Sequence, residues 1–126
     1  MSRLATQHPD TQRPDRDHRN VAVVRGTITS APRERTLPSG DTVTNLEVTT
    51  RIAAGACSVP VVVHDAAPPL GQGDEVVVIG RVVRRFFRAG GITQSRTELV
   101  ATRVLRGSDR RGVGRALRRV ADQLTT

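Results

Sequence analysis

The stretch "DEVVVIGRVVRRFFRAGG", residues 74–91, decides how this chain folds. It opens on a run of β-branched residues, carries Gly80 in its middle, passes into arginines around Phe86 and Phe87, and ends on a Gly-Gly turn. A β-branched run bounded by turn residues reads as a strand, and a glycine inside it marks a bulge or a sharp bend. Side chains alternate along a strand. Val77, Ile79, Arg81, Val83, Arg85 and Phe87 therefore share one face, and Val76, Val78, Gly80, Val82, Arg84 and Phe86 the other. Both faces end in an arginine and a phenylalanine, so the far end of the strand is expected to project as a charged, aromatic finger. These two rings are the only aromatic residues among 126, and neighbours on a strand cannot both point into one core.

Upstream, "NVAVVRGTITS" (20–30) reads as a first strand with a bend at Gly26. "APRERTLPSG" (31–40) reads as a loop closed by a Pro-Ser-Gly turn. "DTVTNLEVTTR" (41–51) alternates Val43, Asn45, Glu47 and Thr49 against Leu46, Val48 and their neighbours, a half-buried second strand. A small-residue link, "IAAGAC", leads to the third, "SVPVVVHD" (58–65), and "AAPPLGQG" is too short and too rich in proline and glycine for a helix. The stretch quoted first supplies the fourth strand at 74–87, and "TQSRTELVATRVLR" (93–106) supplies the fifth. Five strands, a long first connection and a mid-strand glycine predict an all-β domain over 20–107, a five-stranded OB-fold Greek-key barrel. An immunoglobulin-like sandwich needs about seven strands.

Residues 1–19 are polar, with Pro9 and Pro14, and are expected to form a disordered N-terminal extension. Residues 108–126 predict a basic amphipathic C-terminal helix. Val113, Leu117, Val120 and Leu124 repeat at helical spacing, with Arg110, Arg111, Arg115, Arg118 and Arg119 around them. That stripe needs a partner, either the barrel or another subunit.

The net charge is +8, and all 20 basic residues are arginine. Such a surface favours a polyanion, nucleic acid before an acidic membrane. Arginine's planar guanidinium both forks onto phosphates and stacks on bases. A single cysteine, Cys57, excludes an internal disulfide and a multi-cysteine zinc site. His8 and His18 have no accompanying ligand cluster, so no metal and no cofactor is expected. No apolar run reaches the ~20 residues of a membrane span, and the N-terminal residues lack the apolar stretch of a signal peptide. The expectation is a soluble, cytoplasmic protein. Asp41, Asp65, Asp74 and Glu75 sit at turns and strand starts, and "GQGDEV" lacks the third glycine and the helix of a dinucleotide site. Nothing here assembles a catalytic constellation, so an enzyme is not expected.

The order of landmarks resembles that of bacterial single-stranded DNA-binding proteins over about residues 20–106. "NVAVVRGTITSAPRERTLPSGDTVTNLEVTT" is similar to their opening, where an Asn begins the first strand, a Gly bends it and a Pro-x-Gly turn precedes the second. "LGQGDEVVVIGRVVRRFF" resembles their fourth-strand block, and "SRTELVATRVL" their last strand. The resemblance implies binding of single-stranded DNA with little sequence preference, in replication, repair or recombination, by a homo-oligomer that is a tetramer before a dimer. It also aligns the family's three stacking aromatics with Cys57 or Ser58, His64 and Phe87, of which only Phe87 keeps an aromatic ring of the stacking type. The family's acidic C-terminal tip is absent from "ADQLTT", so recruitment of partner proteins by that route is not expected.

Single-strand binding requires cations along a groove and flat groups on which bases stack. The candidate DNA-binding residues are Arg33 and Arg35 in the first connection, Arg51 at the end of the second strand, and His64 at the end of the third. Arg81, Arg85, Phe87 and Arg96 follow along the fourth–fifth hairpin, with Phe86 expected to pack on the hairpin or the barrel rim. RNA offers the same stacking and phosphate contacts. The alternative is a primosome-like OB-fold scaffold whose oligomer binds protein partners through the same phenylalanines and the basic helix.

Overall fold

The computed structural model describes residues 17–64 and 68–126. Most of the predicted 1–19 extension, with His8, therefore lies outside the described residues, as does Asp65. The elements run β1 (Ala22–Ile28), β2 (Arg33–Thr36), β3 (Thr42–Ile52), β4 (Gly55–Val63), β5 (Glu75–Ala89), β6 (Ile92–Arg106) and α1 (Arg110–Thr125). The sheet order is β1-β5-β6-β4-β3-β2, and β1 also pairs with β3 through Thr27↔Thr49 and Ile28↔Val48. That second pairing closes β1, β5, β6, β4 and β3 into a five-stranded barrel. All pairings are antiparallel except β4 with β6, which run parallel at Val61↔Leu99, Val62↔Val100 and Val63↔Ala101. This is the expected all-β OB-fold barrel with a C-terminal helix.

The interior is aliphatic. Ile28, Leu46, Val48, Val61, Val63, Val76, Val78 and Leu99 form one buried cluster, contributed by every strand of the barrel. Burying such side chains fully is worth ~1.5–3 kcal/mol each, which explains how a domain without a core aromatic closes. Two glycines let the strands approach. A Cβ on Gly26 would stand 2.5 Å from the Thr49 carbonyl oxygen, where β1 passes from β5 to β3. A Cβ on Gly80 would press into the Val100 carbonyl and stand 2.7 Å from Leu99 Cδ2. Gly80 also marks a bulge: Ile79 pairs with Arg103 and Gly80 with Ala101, so Thr102 is the extra residue of β6. Its hydroxyl donates to the Ile79 carbonyl at 3.1 Å. The bulge reverses the parity of β6, so that Leu99 and Ala101 face inward before it and Val104 after it.

Two connections differ from expectation. Residues 33–36 are a short strand within the predicted 31–40 loop. Leu37 N donates to the Asp41 carbonyl at 2.7 Å and Gly40 N to Leu37 at 2.9 Å, and this turn folds β2 back along β3. Four polar residues are too few to show alternation in sequence. The link at 52–57 is likewise no link: Ile52 pairs with Gly55, and residues 53 and 54 alone make the turn. β4 therefore starts at Gly55, three residues before the predicted strand, and ends at Val63.

α1 docks on the barrel, with a rotated stripe. Val113, Ala116 and Val120 pack with Val77, Ile79, Leu105 and Val21 in a second, smaller core, while Leu117 and Leu124 stay exposed. Ala116 lets the helix come close, so the contact centres on it rather than on the larger leucines. Asp109 caps the helix by accepting from Gly112 N at 3.0 Å. Asn20 ties the start of β1 to β5, its side chain donating to the Val82 carbonyl and accepting from Val82 N, both at 2.9 Å.

Candidate nucleic-acid interface

Residues opposed across a ladder share a face of the sheet. Following one row across the barrel wall gives Arg33 on β2, Asn45 on β3, Val62 on β4, Val100 on β6 and Arg81 on β5. The row runs round the outside of the closed barrel, and its path of four strand spacings of ~4.8 Å is roughly 19 Å along the curved wall. Val62 and Val100 between them are 3% and 4% exposed, so the middle of the row is covered by neighbouring side chains, and the guanidiniums stand at its two ends. Arg35, opposite Val43, extends the β2 end of this face. Glu34 alternates to the other side of β2, so it does not sit between Arg33 and Arg35 on this surface.

From the same face two hairpin arms extend beyond the barrel. β4 and β6 run parallel, and β4 begins six residues before Val61 while β6 begins seven before Leu99. The β3–β4 arm and the β5–β6 arm therefore leave the same end of the barrel, each ~20 Å long at ~3.3 Å per residue. On the first arm Arg51 pairs with Ala56, and on the second Phe87 pairs with Gln94. Each of these pairs lies five residues before Val61↔Leu99, so Arg51 and Phe87 stand at equal height along their arms. Arg85 pairs with Arg96 lower on the second arm.

The two phenylalanines lie on opposite faces of the finger, as alternation requires. Phe87 is 44% exposed on the arginine face. Phe86 is 68% exposed, against the expectation that it packs on the rim, and its contact is the Arg84 guanidinium 5.5 Å from the ring centre. The finger extends past the barrel, so neither ring has a core to enter.

Of the sequence-predicted residues, Arg33, Arg35, Arg51, Arg81, Arg85, Arg96 and Phe87 lie on the outer side of the barrel wall and its arms. His64 stands apart from the arms. It is exposed immediately after β4, at the opposite end of that strand. Arg85 is not free, because its Nε donates to Glu98 Oε1. Glu98 was missed by the sequence reading. It is 6% exposed, the one buried charged residue among those described, and sits on the face through its pairing with Val83. Alternation with Arg96 and Val100 was the signal that would have found it. Glu47, also on the outer side of the wall, accepts from Ser58 Oγ at 2.6 Å, so Ser58, one of the two residues that the resemblance sets near a family aromatic, is engaged by a carboxylate. Asn45 Oδ1 is buried without a hydrogen-bond partner. Cys57 is exposed.

Among the described residues no cluster of three or more His, Cys, Asp or Glu stands together as a metal site, and no helix is long and apolar enough to cross a membrane. What the outer surface supplies is guanidinium groups and an exposed ring, the two kinds of group that bind phosphates and stack on unstacked bases.

No protein-family model matches the chain, and no curated protein does. Among solved structures it is similar to a Plasmodium falciparum SSB in complex with ssDNA, with 20% sequence identity and a TM-score of 0.58. The likeness covers 67% of this chain and 87% of that one. At that identity the comparison establishes the fold, a five-stranded OB-fold barrel.

Proposed function

We propose that the protein is a non-catalytic binder of single-stranded DNA with little sequence preference, acting in replication, repair or recombination in the cytoplasm. The observation that carries this reading is the placement of Arg33, Arg35, Arg51, Arg81 and Arg96 with Phe87 on the outer surface of an OB-fold barrel and its two arms. Arg33 and Arg81 lie on the barrel wall, Arg51 and Arg96 lie on the arms, and Phe87 stacks a base. The SSB–ssDNA neighbour of the same fold and the bacterial family resemblance support the choice of ligand. Arg85 contributes through its pair with Glu98 rather than as an unpaired cation. His64 belongs at the margin of the site. A homo-oligomer, tetramer before dimer, suits the edge of β1, where Ala22–Gly26 have no partner on the side away from β5 among the described residues.

The test is anisotropy of labelled oligo-dT, the matching oligo-U and a duplex, each titrated at several salt concentrations. The label goes on the nucleic acid because the protein has no Trp or Tyr. Oligo-dT is expected to bind far more tightly than the duplex, with log K falling by about 0.7 per phosphate contact per decade of salt. Equal binding to oligo-dT and duplex would refute the reading and leave the arginines a general polyanion patch. Unchanged oligo-dT binding in F87A with loss of self-assembly would favour the primosome-like scaffold. Oligo-U binding as tight as oligo-dT would extend the ligand to RNA.

A further inference from the structure

Where α1 lies against the barrel, its Arg119 flank leaves an open cleft of about 200 Å³, lined by Ile79, Thr102, Arg103, Ala116, Arg119, Val120 and Gln123. The floor is apolar, made by Ile79, Ala116 and Val120. Arg103 and Arg119 stand on the rim, and Gln123 lies one helical turn beyond Arg119, on the same side. The space is several times the ~30 Å³ share of one water, room for a single flat heterocycle. The Thr102 hydroxyl is already committed to the Ile79 carbonyl, at 3.1 Å, so polar recognition falls to the two guanidiniums and the Gln123 amide.

The cleft adjoins the sheet face. Arg103 is opposite Ile79 in the ladder, and Arg81 lies two residues from Ile79 on the same side of β5, ~7 Å along the strand. The Thr102 bulge brings this about, because the residue it inserts sets Arg103 outward beside α1. Among the described residues Arg103, Arg115, Arg118 and Arg119 make no ion pair, and Asp122, the sole acid of α1, pairs with none of them.

We infer that this cleft is a second contact site for the same strand of DNA. A single strand leaving the sheet face at Arg81 crosses the bulge, lays one nucleotide over the apolar floor with its phosphates on Arg103 and Arg119, and continues along the arginines of α1. The inference rests on the single-strand reading of the sheet face. It gives α1, which lies outside the family resemblance, the role of lengthening the DNA track.

The experiment compares wild type, R103A/R119A and F87A against labelled oligo-dT of increasing length, with a duplex control. Arg103 and Arg119 are exposed, so a thermal melt of the double variant should match wild type. On oligomers short enough to sit on the sheet face alone, R103A/R119A should bind as wild type does. On longer ones it should bind roughly 10- to 25-fold more weakly near 0.1 M salt, with a salt slope smaller by about 1.4, the effect of two phosphate contacts. No loss at any length overturns the inference. So does an equal loss on short and long oligomers, or the same loss on duplex, since either makes the arginines a diffuse positive field. If F87A weakens oligo-dT while R103A/R119A does not, only the cleft fails. If neither variant matters, the sheet-face reading fails with it.

Discussion

Replacing Phe87 by alanine isolates stacking from charge. A base on an aromatic ring is worth ~1–3 kcal/mol, and each 1.4 kcal/mol is about tenfold in affinity. F87A should therefore weaken oligo-dT binding by roughly 5- to 150-fold. The salt slope should not change, because no cation is removed. Fold stability should hardly change either: full burial of such a side chain is worth ~1.5–3 kcal/mol, and this ring is 44% exposed, so its loss costs about 1 kcal/mol. F86A is the matched control, since Phe86 has the same chemistry on the opposite face of the finger and is more exposed. Anisotropy titrations of both variants at three salt concentrations, with thermal melts alongside, separate the terms. The reasoning is refuted if F87A changes affinity less than twofold, if F86A loses as much, or if the slope falls with the affinity.

Removing Arg85 alone leaves the Glu98 carboxylate buried without its partner, and urea unfolding of R85A should show a loss of about 1–3 kcal/mol. That is less than the 3–5 kcal/mol of a fully buried pair, because Arg85 is half exposed. R85A/E98Q should recover most of it, and wild-type stability in R85A would show that the pair carries nothing. G80A forces a Cβ into the Val100 backbone and should cost at least about 2 kcal/mol by the same assay, with the β5–β6 bulge lost. D109A removes the cap of α1 and should cost about 1 kcal/mol. If α1 carries the second DNA contact, the same variant should weaken long oligomers more than short ones.

Much of this architecture was legible in the sequence because β-branched runs between turn residues specify strands locally. The barrel, the bend at Gly80, the projecting finger and the split of Phe86 from Phe87 all follow from alternation and from the absence of a side chain at one position. The amphipathic repeat after residue 108 likewise required a helix. What local pattern does not contain is pairing. Whether "RERT" is loop or strand depends on β3 lying beside it, and the placement of Arg33 and Arg81 on one row of the barrel wall depends on pairings that cross five strands. Glu98 reads as an ordinary strand charge until the fold sets it under Arg85, where burial turns a candidate phosphate ligand into half of an ion pair. The face of α1 that docks was settled by the barrel, whose surface fits Ala116 more closely than Leu117 or Leu124. Periodicity along one strand or helix is a property of the chain; which faces meet is decided only when distant segments bury each other.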